Sequence, residues 1–202
     1  MIICKDKNFV FIHIPKNSGT SMSGILTKLY NCEYMSRVDK ETGIDKMHLH
    51  QDVVSQYIDI DFFNKAIKFC IVRNPYNKVF SAWKYLRNRY PCKNINEFVK
   101  NILTEEFIYG RELIPMDARV HYRPQYTFIY NEGIKNVDYI MRFENLNDDI
   151  TNFNKQYNLN IPLYGNGKCK SDNYIHNYNK ESIEKINKLY EKDFLYFDYT
   201  MI

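Results

Sequence analysis

No block of like charges occurs in this chain of 202 residues, although its formal net charge is +4. Lysine and glutamate interleave along the C-terminal segment, so the basic residues are dispersed. A nucleic-acid-binding protein is expected to concentrate its basic residues in a stripe or patch. The charge pattern therefore argues against nucleic acid as a partner and suits one anionic ligand or two.

The chain also lacks paired cysteines and long apolar runs. Its five cysteines, at positions 4, 32, 70, 92 and 169, form no CxxC pair and no metal-ligand cluster, which predicts reduced thiols. No apolar run near the N-terminus is long enough for a signal peptide or a membrane anchor. We therefore expect a cytoplasmic protein with no membrane partner. The length fits one domain, residues 1–202.

The most informative segment runs from residue 9 to residue 21, where the apolar stretch FVFIHI leads into PKNSGTS. A strand that ends in such a loop directs backbone N–H groups, the positive end of the following helix and a lysine toward one point, which is how proteins hold a phosphate. Thr20 and Ser21 can also cap that helix. The alternative is a tight strand-to-helix turn with a surface lysine. The predicted anion-binding residues are Lys16, Asn17, Ser18, Gly19, Thr20 and Ser21.

A second strand, IKFCIV at residues 67–72, is followed at once by Arg73, with Asn74 as the predicted N-cap and Pro75 at the first helical position. In the next helix the apolar side chains fall on one stripe, and Ser81 lies off it. An arginine at the strand's carboxyl end and a serine two turns into the helix suit a second phosphate. The alternative is a surface salt bridge and a solvated serine.

The order of elements predicts an α/β fold with a central parallel sheet flanked by helices. Ligands bind outside the carboxyl ends of such strands, so we expect the two motifs to face one cleft. The stretch from residue 164 to residue 178 lacks periodicity and predicts a loop, which either folds over the cleft or stays solvated. Strands are predicted near residues 8–14, 66–72 and 137–142, and helices near residues 19–30, 75–90, 94–104, 145–157 and 180–192.

These motifs closely resemble those of a known enzyme family. PKNSGTS at residues 15–21 and RNPYNKVFSAW at residues 73–83 are similar to the two donor-binding motifs of sulfotransferases that use 3′-phosphoadenosine 5′-phosphosulfate (PAPS). Three further pieces resemble the carbohydrate branch, which contains the heparan and chondroitin sulfotransferases. They are HYRPQ at residues 121–125, DYIMRFENL at residues 138–146, and YEKDF at residues 190–194 with Phe197 and Tyr199.

The resemblance implies a P-loop-like three-layer fold, a PAPS donor and a saccharide hydroxyl as acceptor. It implies that the first loop holds the 5′-phosphosulfate, that Arg73 and Ser81 hold the 3′-phosphate, and that the late loop with Lys170 closes over the nucleotide. Lys16 would offset the charge that develops on the leaving oxygen during in-line transfer. We expect no metal, because a sulfuryl group carries less charge than a terminal phosphate. Animal members usually carry a membrane anchor, so this chain resembles a cytosolic relative or an excised catalytic domain.

The segment MHLHQD, residues 47–52, resembles the paired histidines of heparan-type 2-O-sulfotransferases, and this implies that His48 is the catalytic base. Alternation in an extended segment would put His48 and His50 on the same side, where His50 orients its neighbour or touches the acceptor. Without the resemblance, two alternating histidines indicate a weak metal site or nothing. Of the other histidines, we expect His13 to be structural, and His121 either to face the acceptor or to brace the fold. His176 has no visible partner.

Two other functions remain open at this level. A small P-loop kinase would present a similar strand, loop and helix, although the early lysine and the lack of an evident carboxylate for Mg²⁺ count against it. A nucleotide- or glycan-binding module without turnover would keep the donor pocket, and the presence of His48 beside Lys16, Arg73 and Ser81 argues against that alternative.

Overall fold

The computed structural model describes residues 1–35, 38–39, 41–110, 118–164 and 174–202. Most of the predicted late loop, including Lys170, lies outside these residues. The described strands are β1 (Ile2–Cys4), β2 (Phe9–Ile12), β3 (Glu33–Tyr34), β4 (Ile67–Val72), β5 (Tyr130–Asn131), β6 (Ile134–Lys135) and β7 (Tyr139–Arg142). The described α-helices are α1 (Gly19–Leu29), α2 (Ile60–Lys65), α3 (Pro75–Leu86), α4 (Ile95–Asn101), α5 (Glu105–Tyr109), α6 (Leu146–Tyr157), α7 (Lys180–Leu189) and α8 (Glu191–Tyr196).

Five of the described strands form one sheet, in the order β3-β1-β2-β4-β7, and β5 pairs with β6 in a separate hairpin. The centre of the sheet is parallel, because β4 pairs in parallel with both β2 and β7. β1 is antiparallel to β2 and to β3. The α/β prediction is confirmed, but the sheet is mixed and not wholly parallel. The cause is the connection between β1 and β2, which is too short for a parallel crossover. It is a tight turn in which Asn8 N–H donates to Lys5 O over 3.2 Å.

Local sequence explains where the helices begin. The Asn74 side chain accepts from Tyr76 N–H at the start of α3, and the Asn179 side chain accepts from Ser182 N–H at the start of α7, so both predicted caps are confirmed. The prediction that Thr20 and Ser21 cap α1 is wrong, because both lie inside its first turn. The N-cap is Ser18, whose side chain makes no capping hydrogen bond.

Several helix boundaries also differ from the prediction. α3 ends at Leu86, and the predicted last helix is divided at Tyr190 into α7 and α8. The short helices α2 and α5 were not predicted from the sequence.

The sheet is covered on both faces, which is possible because side chains alternate along a strand. On β4, Phe69 and Ile71 pack with apolar residues of α1 and α6, including Met22 and Phe153. On the opposite face, Cys70 lies among residues from the segments around α2 and Phe128. A third apolar cluster joins α3, α4, α7 and α8. Because β2 and β4 pair in parallel, their carboxyl ends lie side by side, and the two predicted anion-binding motifs begin there.

No helix among the described residues combines the length and apolar character that a membrane crossing requires.

Candidate functional site

The loop between β2 and α1 has a backbone shape suited to an anion. Lys16 and Ser18 have φ values of 68° and 66°, in the left-handed region, on either side of Asn17. Left-handed backbone costs a residue with a Cβ about 1 to 2 kcal/mol. Alternation of this kind turns successive N–H groups toward one concave side, and the uncapped N-terminus of α1 follows directly.

Gly19 has a packing role within this loop. A Cβ at this position would collide with the imidazole of His13, which is 3% exposed. Gly19 therefore allows the loop to lie directly against the end of β2.

A cavity of about 480 Å³ lies at the carboxyl ends of β2 and β4. It brings together residues of both predicted donor motifs. Asn17 is the exception within the first motif: its side chain is fully buried and donates to Ile71 O over 2.8 Å. The residues that line the cavity are His13, Pro15, Lys16, Ser18, Gly19, Thr20, Ser21, Asp45, Met47, His48, Arg73, Ser81, Tyr85, His121 and Phe143.

Two cations from separate motifs meet in this cavity. Two effects lower the pKa of Lys16 to about 8: burial, which is the larger, and repulsion from the nearby Arg73 guanidinium. The Lys16 ammonium lies 3.9 Å from the ring centroid of Tyr85, and Arg73 stacks 4.1 Å from that of Phe143. Arg73 Nη1 also donates to Lys16 O over 3.2 Å. An anion between the two side chains would relieve their repulsion.

The buried side chain of Gln125 holds the two motifs in register. Its Oε1 accepts from Asn17 Nδ2 over 2.7 Å and from Arg73 N–H over 2.8 Å. Its Nε2 donates to Arg73 O over 2.8 Å and to Asp193 Oδ2 over 3.3 Å. Asp193 is fully buried and also accepts from the backbone N–H groups of Gln125 and Tyr126. Burial raises the pKa of Asp193 to about 6.

Lys78 fixes the same segment from the other side. Its side chain is fully buried in α3 and donates to His121 O over 2.9 Å and to Arg123 O over 2.8 Å. Burial lowers the pKa of Lys78 to about 7. This lysine attaches residues 121–125 to the helix that also carries Ser81.

His48 has a defined tautomer in the cavity wall. Its Nδ1 lies 2.8 Å from His13 O, and because a carbonyl can only accept, Nδ1 carries the proton. Burial lowers the pKa of His48 to about 3, so the ring is neutral at pH 7 and Nε2 keeps its lone pair. Asp45 Oδ2 lies 3.9 Å from Nε2, and Asp45 also caps the short 3₁₀ turn Lys46–His48. Its unprotonated Nε2 can accept a proton, and burial makes it a weaker base than an exposed imidazole.

The imidazole of His50 has the opposite hydrogen-bonding pattern, because its Nδ1 accepts where Nδ1 of His48 donates. Its Nδ1 lies 2.8 Å from Arg123 Nη1, and because a guanidinium can only donate, Nδ1 is the accepting nitrogen. Burial and the Arg123 charge lower the pKa of His50 to about 3. The expected extended alternation is wrong, because His48 belongs to a 3₁₀ turn. Both histidines nevertheless line a second cavity, as the prediction of a common side requires, and of the pair only His48 also lines the large one.

A family model described as the sulfotransferase family matches residues 1–200. The chain belongs to the sulfotransferase family. Its members transfer sulfuryl groups and generally take them from PAPS. The match gives no support to the kinase alternative. Comparisons with curated proteins and with solved structures gave no match.

The remaining predicted residues of this sulfotransferase are placed as follows. His13 packs against Gly19, and its ring also lines the large cavity. The ring of His121 lies in the same cavity wall, 5.7 Å from that of His48. His176 is exposed in a separate 3₁₀ turn. Lys170 lies outside the described residues.

Across the described ranges, no group of three or more His, Cys, Asp or Glu side chains is arranged to hold a metal ion.

Sequence reasoning did not assign a role to Gln125, Lys78 or Asp193. All three lie in family-like segments, Lys78 in RNPYNKVFSAW, Gln125 in HYRPQ and Asp193 in YEKDF, and this was the available signal. Their roles depend on a pairing across 68 positions, which a local pattern does not contain.

Replacing Gln125 by Ala will lower the free energy of unfolding by about 3 kcal/mol or more, because buried partners on three segments lose their hydrogen bonds. Urea titration provides the measurement, and Gln156→Ala on the exposed face of α6 is the matched control, with an expected change within about 0.5 kcal/mol. Equal stability of the two variants would contradict the role assigned to Gln125.

Proposed function

We propose that this sulfotransferase moves the sulfuryl group of PAPS to a saccharide hydroxyl, with His48 as the base. The observation that carries the proposal is the meeting of Lys16 and Arg73 in one cavity with the hydroxyl groups of Thr20, Ser21 and Ser81. Two mutually repelling cations surrounded by hydroxyl donors suit a ligand with two separate anionic groups.

The donor fits this cavity in chemistry as well as in charge. The N–H groups of the loop and of the uncapped α1 N-terminus, together with Lys16, would hold the 5′-phosphosulfate. Arg73 and Ser81 would hold the 3′-phosphate, which separates this nucleotide from ATP. Asn17 contributes indirectly, because its side chain fixes the loop through Gln125.

In sulfuryl transfer, negative charge develops on the oxygen that leaves with the nucleotide. A positive charge fixed beside that oxygen stabilises the transition state more than the ground state. Lys16 is the residue of the loop that can supply this charge. Tyr85 limits where the ammonium can lie, because the two are in cation–π contact.

His48 is a better base than His50 because of their hydrogen bonds. The proton of His48 Nδ1 is held by His13 O, which leaves Nε2 available to an acceptor hydroxyl. The accepting nitrogen of His50 is already occupied by Arg123. When His48 takes up the proton, the Asp45 carboxylate would stabilise the resulting imidazolium. The saccharide acceptor is supported by the likeness of residues 121–125 and 138–146 to the carbohydrate branch.

Nucleotide binding tests the donor assignment. We expect adenosine 3′,5′-bisphosphate to raise the melting temperature more than ATP or adenosine 5′-monophosphate, because only this nucleotide carries the 3′-phosphate. Arg73→Ala will weaken its binding by about 2 to 3 kcal/mol, measured by calorimetry. Arg87→Ala, at the exposed end of α3, is the control with unchanged affinity. Preference for ATP, or equal affinity of the two variants, would refute the assignment.

The low pKa of Lys16 makes nucleotide binding dependent on pH. Binding of the anion favours protonated Lys16, so the bound state holds more protons than the free protein above its pKa of about 8. Affinity for adenosine 3′,5′-bisphosphate will therefore fall as pH rises above 8, by up to about tenfold per pH unit. The nucleotide's own phosphates titrate near pH 6 and do not interfere.

The variant Lys16→Arg keeps its positive charge throughout this range of pH. Its affinity for adenosine 3′,5′-bisphosphate will therefore not change as pH rises. Parallel slopes for Lys16→Arg and the unmodified protein would exclude Lys16 as the titrating group.

The variant His48→Asn tests the role of His48 as the base while it keeps the hydrogen bond to His13. The asparagine amide can still donate to His13 O but cannot serve as a base. Single-turnover transfer will slow by about a hundred- to ten-thousandfold, with nucleotide affinity near that of the unmodified protein. His50→Asn keeps an acceptor for Arg123 and will have a milder effect. An active His48→Asn would transfer the role to His121, the next imidazole in the cavity wall.

A further inference from the structure

A second cavity of about 260 Å³ adjoins the large one. The two share Asp45 and His48, so the imidazole of His48 lies at their boundary. A hydroxyl bound in the second cavity would therefore lie beside the His48 side chain. The residues that line it are Gly43, Ile44, Asp45, His48, His50, Asp52, Val53, Val120 and Arg123.

The charges of the two cavities are opposite. The large cavity contains two cations, Lys16 and Arg73, and the one shared carboxylate, Asp45, so positive charge is in excess. The second cavity contains two carboxylates, Asp45 and Asp52, and a single guanidinium, Arg123. Arg123 donates to His50, and its guanidinium lies 5.8 Å from the ring centroid of Tyr109. Both histidines that line the second cavity are neutral at pH 7.

The remaining lining of the second cavity is apolar. Ile44, Val53 and Val120 present aliphatic groups next to the two carboxylates. Carboxylates accept hydrogen bonds from hydroxyl groups, and aliphatic side chains pack against the C–H faces of a sugar ring. A ligand with its own carboxylate or sulfate would meet like charge at Asp45 and Asp52, and the one guanidinium of this cavity, Arg123, already donates to His50.

We propose that the second cavity binds the acceptor sugar and selects a unit that carries no negative charge, with Asp52 as the discriminating residue. This inference rests on the proposed function, because it uses His48 as the base. It separates the protein from enzymes whose acceptors are polyanionic chains.

The test compares two hexasaccharides with the protein saturated by adenosine 3′,5′-bisphosphate. One is the neutral N-acetylglucosamine hexamer, and the other alternates N-acetylglucosamine with glucuronate. Calorimetry measures binding of each, and transfer from PAPS is assayed in parallel. We expect the neutral hexamer to bind at least about tenfold more tightly, which corresponds to about 1.4 kcal/mol. Tighter or equal binding of the glucuronate chain, or binding of neither chain, would overturn the proposal.

A charge-reversal variant tests whether Asp52 causes the preference for the neutral hexamer. Asp52→Lys will reduce or reverse the preference, because it replaces a carboxylate of the second cavity by a cation. Asp61→Lys makes the same change of net charge on the exposed surface of α2 and will leave the preference unaltered. An equal shift in both variants would show a general charge effect and refute the role of Asp52. Absence of nucleotide binding is a separate outcome, and it would refute the proposed function.

Discussion

The relative position of the loop after β2 and the end of β4 depends on one buried amide, that of Gln125. Gln125 exchanges hydrogen bonds with Asn17 in the loop after β2, with both backbone groups of Arg73 at the end of β4, and with Asp193 in α8. Each of these segments lies far from the others along the chain. A buried amide that satisfies four partners at once has few alternative arrangements, because any displacement leaves polar groups without hydrogen bonds in the interior. The sheet brings the strand ends together, and Gln125 sets their spacing.

This spacing explains why the fold tolerates an unfavourable arrangement of charge. Lys16 and Arg73 repel each other, and Lys16 and Ser18 occupy strained backbone conformations. Neither feature favours the folded protein by itself. Both are maintained because the buried network and the three apolar clusters determine where the loop lies. Such strain is typical of sites that are organised before their ligand arrives.

Much of the fold was predictable from the sequence, since apolar periodicity and capping residues act locally. The central strands, the caps Asn74 and Asn179 and the convergence of the two motifs all follow from such signals. The antiparallel β1 was missed because it has only three residues. The side chain of Asn17 was expected at the ligand, yet it points into the interior, since its partner Gln125 lies 108 positions away. The roles of His48 and His50 depend on a 3₁₀ turn and on Arg123, and neither is evident from alternation.

The hydrogen bond between His48 and His13 has a mechanical consequence. His13 follows β2 directly and precedes the anion-binding loop, so one stretch of backbone both carries that loop and holds the ring of His48. The distance between the His48 ring and the cationic loop is therefore set by a few covalent links and one hydrogen bond. A shift of the His13 backbone would therefore move the loop and the His48 ring together.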